Sequence, residues 1–447
     1  MGLEAPSRVR GFDSAHSVVV SRRSKARNRR PYELKIAIVS QYYAPEAIRI
    51  PDTLARGLAA RGHEVRVITG YPNYPDGNLF PGYRHRLPTT EWVDGIRVRR
   101  VPMVISHSYN PIARFANYLT FAGSAAAARG FVRSADVVYV YATQMTPAIG
   151  PSVWRALFGT PYVLHIQDLW PESVTDSSMV GAGIIKRSIS GILNPWLRFL
   201  YRTASATIAI APSMSRMLSS RGVPADRLHT VLNWDASEDP LAAPRVAPVD
   251  TGKVSIVYAG NLGDHQSLDT VIRAANAVKH LDHVVVTIVG SGVAEERLRA
   301  LARELDAHNV NFKGRVAPES MEAIHAQSDF QVVSLKDRPI FEGTIPSKLQ
   351  ASLSHGIPVI TAIRGDVQDM VRCNGIGYAC DPEDVEQLAQ AFTDAGSTGA
   401  AQRQEMGRNA SEYYRSTMSI DSGVGAIEKI LVGASRHKTG IRKAHAE

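Results

Sequence analysis

The sequence predicts an α/β protein built on parallel sheets, and three observations carry that expectation. Short apolar runs alternate with segments of helical period, as where Val254-Ser-Ile-Val-Tyr-Ala259 precedes Leu268–Val278. The runs lack polar alternation, which marks strands covered on both faces. They end in glycine turns at Gly260, Gly290 and Gly314, and ligands of such sheets bind at the strand C-terminal ends.

In the N-terminal half, Lys35–Ser40, Val65–Thr69, Ile96–Val101, Val137–Val140, Tyr162–Ile166 and Thr207–Ala209 read as strands with helices between them. Asp235 to Lys253 is rich in Asp, Pro and Ala without periodicity and reads as a linker. Beyond it, Val284–Val289 is a second buried strand and Glu295 to Leu305 its helix. Val310–Val316 is a short strand and turn, Met321 to Ala326 a helix, and Phe330–Leu335 another strand. Gln402–Val432 is helical. Tyr71–Gly82, with three prolines and two glycines, is a long loop beside the first strands, either an entrance for a ligand or a structural Ω-loop.

The stretch from Ile340 to Ile360 carries the most chemistry. It reads as a glycine-broken loop, a helix starting near Pro346, and a Gly356-Ile-Pro358 turn into a Val359-Ile360 strand. Pro346 fits a first helical turn, and Ser347 offers a hydroxyl beside free backbone N–H groups. Lys348 adds a cation to a helix start that already attracts anions. Glu342, Ser347 and Lys348 together suit a sugar diphosphate, the carboxylate taking hydroxyls and the cation taking phosphate. An ordinary βα turn with a surface lysine accounts for the same residues equally well.

Tyr258-Ala-Gly-Asn-Leu-Gly263, Val289-Gly-Ser-Gly292, Phe312-Lys-Gly-Arg315, Pro346-Ser-Lys348 and His355-Gly-Ile-Pro358 occur in this order. They resemble the donor half of family 4 glycosyltransferases, nearest the bacterial branch that builds colanic-acid and O-antigen type surface polysaccharides. The N-terminal half agrees through Lys35–Glu46, Arg61–Pro75 and Asp168-Leu-Trp-Pro-Glu172, so the resemblance covers about residues 35 to 430. It implies a GT-B fold, two Rossmann-like domains facing a cleft. It implies a nucleotide-sugar donor (a UDP-sugar first) in the C-terminal domain, a glycan or polyprenyl-linked acceptor on the N-terminal one, and retention of anomeric configuration. No metal and no resident cofactor are implied, the nucleotide sugar being substrate. Carried over by position, Gly260 and Asn261 near the donor phosphates, Arg315 and Val316 meet the base, and Ser347 and Lys348 hold phosphate. Asp168 faces the reacting sugar, and with Glu342 it forms the candidate catalytic pair.

This chain departs from the family at named positions. The paired glutamates expected eight residues apart fall at Gly343 and Ala351, with Glu342 and Gln350 one residue off. Adjacent helical residues point about 100° apart, so Gln350 does not simply replace a lost carboxylate. The family's His-Asp pair reads Gln167-Asp168, with His165 two residues upstream. These departures open an alternative, a catalytically degenerate relative acting as a binding or regulatory partner. A nicotinamide enzyme, suggested by Gly290-Ser-Gly292, is disfavoured because its third glycine position is Glu295.

The expected organisation is a disordered basic tail at 1–33, an acceptor-binding domain at 34–234 and a linker at 235–253. A nucleotide-sugar domain follows at 254–401, then at 402–447 a helix crossing back to the N-terminal domain with a basic tail. At 447 residues, 44% hydrophobic and 21% charged, the chain has room for two full cores. Cys373 and Cys380, the only cysteines, read as free thiols in a reducing cytosol. No apolar run is long enough to span a bilayer, and no apolar segment near the start marks a secretory signal. The expected location is cytoplasmic, peripheral on the inner face of the cell membrane.

The net charge is +9, and residues 1–31 hold eight Arg or Lys against Glu4 and Asp13. No nucleic-acid recognition pattern accompanies this charge, so an anionic membrane surface fits it better than nucleic acid, a solubilising tail being the bland account. Ile184–Arg202 mixes aliphatic and aromatic residues with four cations and no acid. It suits either a lipid interface or a crossover helix. Asn110–Arg133 is similar and reads better as a crossover helix whose arginines point outward.

Overall fold

A computed structural model describes residues 33–75, 77–84, 87–106, 111–171, 184–234 and 252–444. The basic tail lies outside them except for residue 33, as do residues 235–251 of the linker, Glu172, Asn110 and residues 445–447.

The N-terminal apolar runs become strands because alternate residues pack into cores on both sides. In order they give β1 (Lys35–Ser40), α1 (Ile50–Ala60), β2 (Glu64–Gly70), β3 (Thr89–Val93), β4 (Ile96–Val101), α2 (Pro111–Ala127) and α3 (Arg129–Val132). Then follow β5 (Val137–Ala142), α4 (Ile149–Phe158), β6 (Tyr162–Ile166), α5 (Ile184–Thr203), β7 (Ala206–Ala209), α6 (Pro212–Ser220) and β8 (Leu228–Thr230). The sheet order is β3-β4-β2-β1-β5-β6-β7-β8. All pairings are parallel except β3 with β4, a hairpin turned by Asp94 and Gly95, which have φ of 48° and 78°. On one face Phe121, Trp154 and Leu200 join the sheet core from α2, α4 and α5. On the other face Leu54 packs from α1. Each fully buried apolar side chain such as Phe121 or Leu54 contributes about 1.5–3 kcal/mol.

The second sheet has the order β11-β10-β9-β12-β13-β14 and is parallel throughout. Its elements are β9 (Val254–Ala259), α7 (Leu268–Ala277), β10 (Val284–Val289), α8 (Glu295–Glu304), β11 (Val310–Gly314), α9 (Pro318–Ala326) and β12 (Phe330–Ser334). They continue with α10 (Ser347–Ser354), β13 (Val359–Ala362), α11 (Asp366–Cys373), β14 (Gly377–Ala379), α12 (Val385–Ser397), α13 (Ala400–Thr417) and α14 (Ile420–Ala444). The order reverses between β9 and β12, and in the N-terminal sheet between β1 and β5. In doubly wound sheets the ligand crevice opens at that point, beyond the strand C-termini.

The helical segment expected from residue 402 is two helices. α13 packs on α10 within the C-terminal domain, and α14 alone reaches α1. Ile427 and Leu431 of α14 complete the second N-terminal core. Glu428 pairs with Arg61 at 2.9 Å and with His63 at 2.8 Å. Trp234 is buried where the chain leaves the first domain, and its indole N–H donates to Thr53 Oγ1 at 2.8 Å. Gly423 lies against that indole, where an added Cβ would come within 2.2 Å of the ring. Cys373 is exposed, Cys380 is buried, and neither is bonded to the other. No helix among the described residues is long and apolar enough to cross a membrane.

Candidate active site

The floor of the C-terminal crevice is three βα turns joined through their backbones. Gly260 N donates to Val289 O, Gly290 N to Gly314 O, and Leu262 N to Ser291 O. Gly290 has φ of 137°, and a Cβ there would stand 1.8 Å from Gly260 O. Only glycine fits so close an approach. A Cβ at Gly292 would meet Leu262 O at 2.4 Å. The glycines read from sequence as ligand turns thus also lock those turns to one another.

Over this floor sits Lys348. It lies in the first turn of α10, next to Ser347, the exposed first residue of the helix. Pro346 is the N-cap, with extended backbone, one step ahead of the first-turn position expected for it. The first-turn N–H groups of such a helix are unpaired within it and attract anions. Lys348 Nζ donates to Tyr258 OH at 2.7 Å and lies 4.3 Å from the centre of that ring. It also borders the turn, 3.4 Å from the point where a Gly260 Cβ would stand. Tyr258 OH in turn donates to Asn261 O at 2.7 Å. Burial pushes the Lys348 ammonium down to about 8. A cation short of water, with no carboxylate partner among the described residues, gains most when an anion arrives. Gly260, Asn261, Ser347 and Lys348 are therefore brought together. The sequence reading missed Tyr258, because a tyrosine near the end of a buried strand looks like core.

Arg315 follows β11 and is exposed, while Val316 packs beside the small cluster of Val257, Val289 and Ile324. Glu342 is exposed, and its carboxylate is near enough to Arg364 to interact with it. Its backbone does a separate task, accepting from Asp366 N at 3.1 Å and from Ser213 Oγ at 3.3 Å. Ser213 N donates to Asp366 Oδ2 at 2.7 Å, and Arg216 lies 3.4 Å from Asp366 Oδ1. Ser213 opens α6 and Asp366 opens α11, so this contact ties the strand-end rims of the two sheets together. Gly343 faces the same contact: a Cβ there would be 3.4 Å from both Met214 N and Ser213 Cβ. The position where the family carries a carboxylate here packs against α6 at ordinary contact distance. Nothing in the sequence around Ser213 or Asp366 announces this bridge.

On the N-terminal side, Asp168 follows β6 with an exposed side chain, in a recess whose burial still raises its carboxyl above the ordinary value. Its neighbour Gln167 accepts from Asn233 Nδ2 at 2.7 Å. His165 is fully buried within β6, bonded to the Tyr139 hydroxyl, and burial pushes its imidazole down to about 3. It cannot act as the missing histidine of the site. At the switch point between β1 and β5, Gln41 donates to Asn117 and accepts from Gln144, all three buried. Glu46, buried, receives N–H bonds from Tyr43 at 3.0 Å, Asn73 at 2.9 Å and Tyr74 at 3.0 Å. Burial raises its carboxyl, and those three donors oppose the rise. They pin the start of the Tyr71–Gly82 loop beside the crevice. Among the described residues no group of three His, Cys, Asp or Glu could hold a metal ion.

Two doubly wound, mainly parallel sheets, bridged at their strand ends, define the class as a GT-B fold. Residues 50–234 match the model of the glycosyl transferase 4-like domain, and residues 242–413 match that of glycosyl transferases group 1. Together these span most of the chain, which belongs to the family 4 glycosyltransferases. It is 26% identical over 387 residues to a putative colanic acid biosynthesis glycosyl transferase of Escherichia coli, covering 81% of this chain and 92% of that one. It is 25% identical to a Mycobacterium tuberculosis glycogen synthase, covering 90% of this chain and 95% of that one. Among solved structures, a sucrose-phosphate synthase from Thermosynechococcus elongatus superposes with a TM-score of 0.64 at 16% identity, covering 89% of this chain and 98% of that one. The Anabaena protein HepE, in complex with UDP and glucose, gives 0.59 at 14%, covering 89% and 99%. These likenesses support the fold, and the chain is a glycosyltransferase of polysaccharide or glycan synthesis.

Proposed function

We propose that the chain transfers a sugar, with retention of configuration and without a metal ion, from a UDP-sugar to a glycan or lipid-linked acceptor of a surface polysaccharide. The observation that carries this reading is Lys348, a desolvated cation at a helix N-terminus held against the Gly260 turn. When the donor bond breaks, negative charge grows on the leaving diphosphate. Lys348 and the first-turn N–H groups of α10 stabilise it, preorganised in a site of low polarity. Arg315 and Val316 flank the base, and Asp168 orients the acceptor or stabilises positive charge at the anomeric carbon. The UDP bound by HepE and the putative colanic acid biosynthesis of the Escherichia coli relative support the donor and acceptor classes. With such an acceptor the enzyme would work at the cytoplasmic face of the cell membrane.

Gly343 and Ala351, standing where the family carries carboxylates, favour one other reading, a relative that binds a nucleotide sugar without turning it over. A UDP-release assay over a panel of UDP-sugars, run with a chelator present, separates them. Release that falls at least a hundredfold in Asp168→Asn supports the transferase. Tight UDP binding with no release from any donor supports the binding partner.

A further inference from the structure

Six of the ten exposed large hydrophobic side chains among the described residues lie on three adjoining helices of one face. They are Phe115 and Leu119 on α2, Val153, Leu157 and Phe158 on α4, and Phe199 on α5. The helices are neighbours, α2 against α4 and α4 against α5, and all pack inward on the same sheet core. Arginines were expected to point outward from α2, with the apolar side turned in. Instead its exposed stripe is Phe115, Leu119, Gly123 and Ala127, four residues apart each time, while Arg114 is half-buried and within 3.3 Å of the Tyr118 hydroxyl. On α4 the outward residues are Val153, Ala156, Leu157 and Phe158. A water-facing crossover helix would carry its polar residues there.

The charge on this face has one sign. From Pro111 to Phe158 the sole acid is Asp136, and from Ile184 to Thr203 there is none. Asp136 is occupied, accepting from Lys35 N at 2.9 Å. Exposed cations frame the apolar residues at Arg133, Arg198 and Arg202, and Arg129 lies 4.4 Å from the Phe158 ring centre. The opposite layer differs, its Arg56 and Arg61 being paired with Asp52, Asp421 and Glu428. An exposed apolar patch rimmed by cations with no acid partner among the described residues complements one surface above others, an anionic lipid headgroup layer over hydrocarbon. An acidic protein groove would match the charge, but a face spread over three parallel helices fits a plane better than a groove.

The Lys35–Asp136 bond adds continuity. It fixes the start of β1 beside the connection that follows α3, and the sequence before it carries eight cations in residues 1–31. A shallow apolar contact and a polybasic segment are the two signals that together give stable peripheral attachment.

We propose that the outer face of α2, α4 and α5 is the surface by which this protein lies on an anionic membrane, with Phe115, Leu119, Leu157, Phe158 and Phe199 entering the headgroup–acyl boundary. This goes beyond the catalytic reading and does not depend on it.

The test is co-sedimentation of the full-length protein with phosphatidylcholine vesicles, with and without phosphatidylglycerol. Wild type is expected to bind the anionic vesicles at least tenfold more than the neutral ones. The double variants Phe115→Ser/Leu119→Ser and Leu157→Ser/Phe158→Ser should each lose at least tenfold of that binding. Hydrogen exchange on wild type, which needs no variant to fold, should show vesicle-induced protection in 111–127 and 149–158 but none in 268–277. Serine variants that bind like wild type would overturn the proposal and leave attachment to the tail. So would binding abolished by high salt with no change in exchange at the helices. A wild-type dimer dissolved by the same substitutions would assign the face to a second copy and also overturn it.

Discussion

Tyr258→Phe isolates what holds the Lys348 charge in place. The substitution keeps the ring 4.3 Å from the ammonium and removes only the hydroxyl that accepts its N–H at 2.7 Å. A hydrogen bond to a charged group is worth about 1.5–3 kcal/mol, and about 1.4 kcal/mol corresponds to one pKa unit. Some of that is recovered by the neutral amine, so the ammonium should fall by about 1.5 units below its present value of about 8. Nucleotide binding needs the charged form, and apparent affinity falls by the fraction deprotonated. The variant should then lose roughly eightfold in UDP affinity near pH 7.5 but less than about 1.5-fold near pH 6. Calorimetric titration with UDP across that range measures both ends. A loss of equal size at both pH values, or none at either, would refute the assignment of Lys348 as the titrating phosphate ligand.

Gly290→Ala forces a Cβ to within 1.8 Å of Gly260 O at a φ of 137°. It should cost on the order of 2–4 kcal/mol in denaturant unfolding and weaken UDP binding with it. Gly423→Ala pushes into the Trp234 ring, and thermal unfolding should drop by several degrees with UDP affinity unchanged. Glu428 is raised by desolvation, but its bonds to His63 and Arg61 outweigh this and hold its carboxyl below the ordinary value. A depressed carboxyl stabilises the fold above its unfolded value of about 4.3 and loses that contribution as pH falls through the folded one. Glu428→Gln should therefore melt about 2–4 °C lower at neutral pH, with the gap closing below about pH 4.

How much of this could be read from the sequence follows from what each element buries. Val254–Ala259 and Val284–Val289 are buried almost throughout, so an apolar run was signal enough. β3, Thr-Thr-Glu-Trp-Val, is an edge strand with mostly exposed residues, Trp92 among them, so no buried apolar run marks it. β8 has only three residues, too few for a period. The break between α13 and α14 falls at Met418 and Ser419, where helical spacing continues past a change of packing partner. Lys348 and Gly260 were legible because a glycine turn and a helix start carry local chemistry. Tyr258, Ser213 and Asp366 were not, since their roles arise from pairings 90, 129 and 153 residues apart in the chain. The outward turn of Phe115 and Leu119 was likewise hidden, because an amphipathic pattern does not say which face meets the sheet.

The central claim is that Lys348 and the α10 start hold a nucleotide diphosphate over the Gly260 turn. Calorimetric titration of wild type and Lys348→Ala with UDP, in the presence of a chelator, tests it most directly. Metal-independent UDP binding in wild type, weakened at least a hundredfold in the variant with the melting temperature preserved, is the predicted result. UDP bound equally well by both proteins would contradict the account.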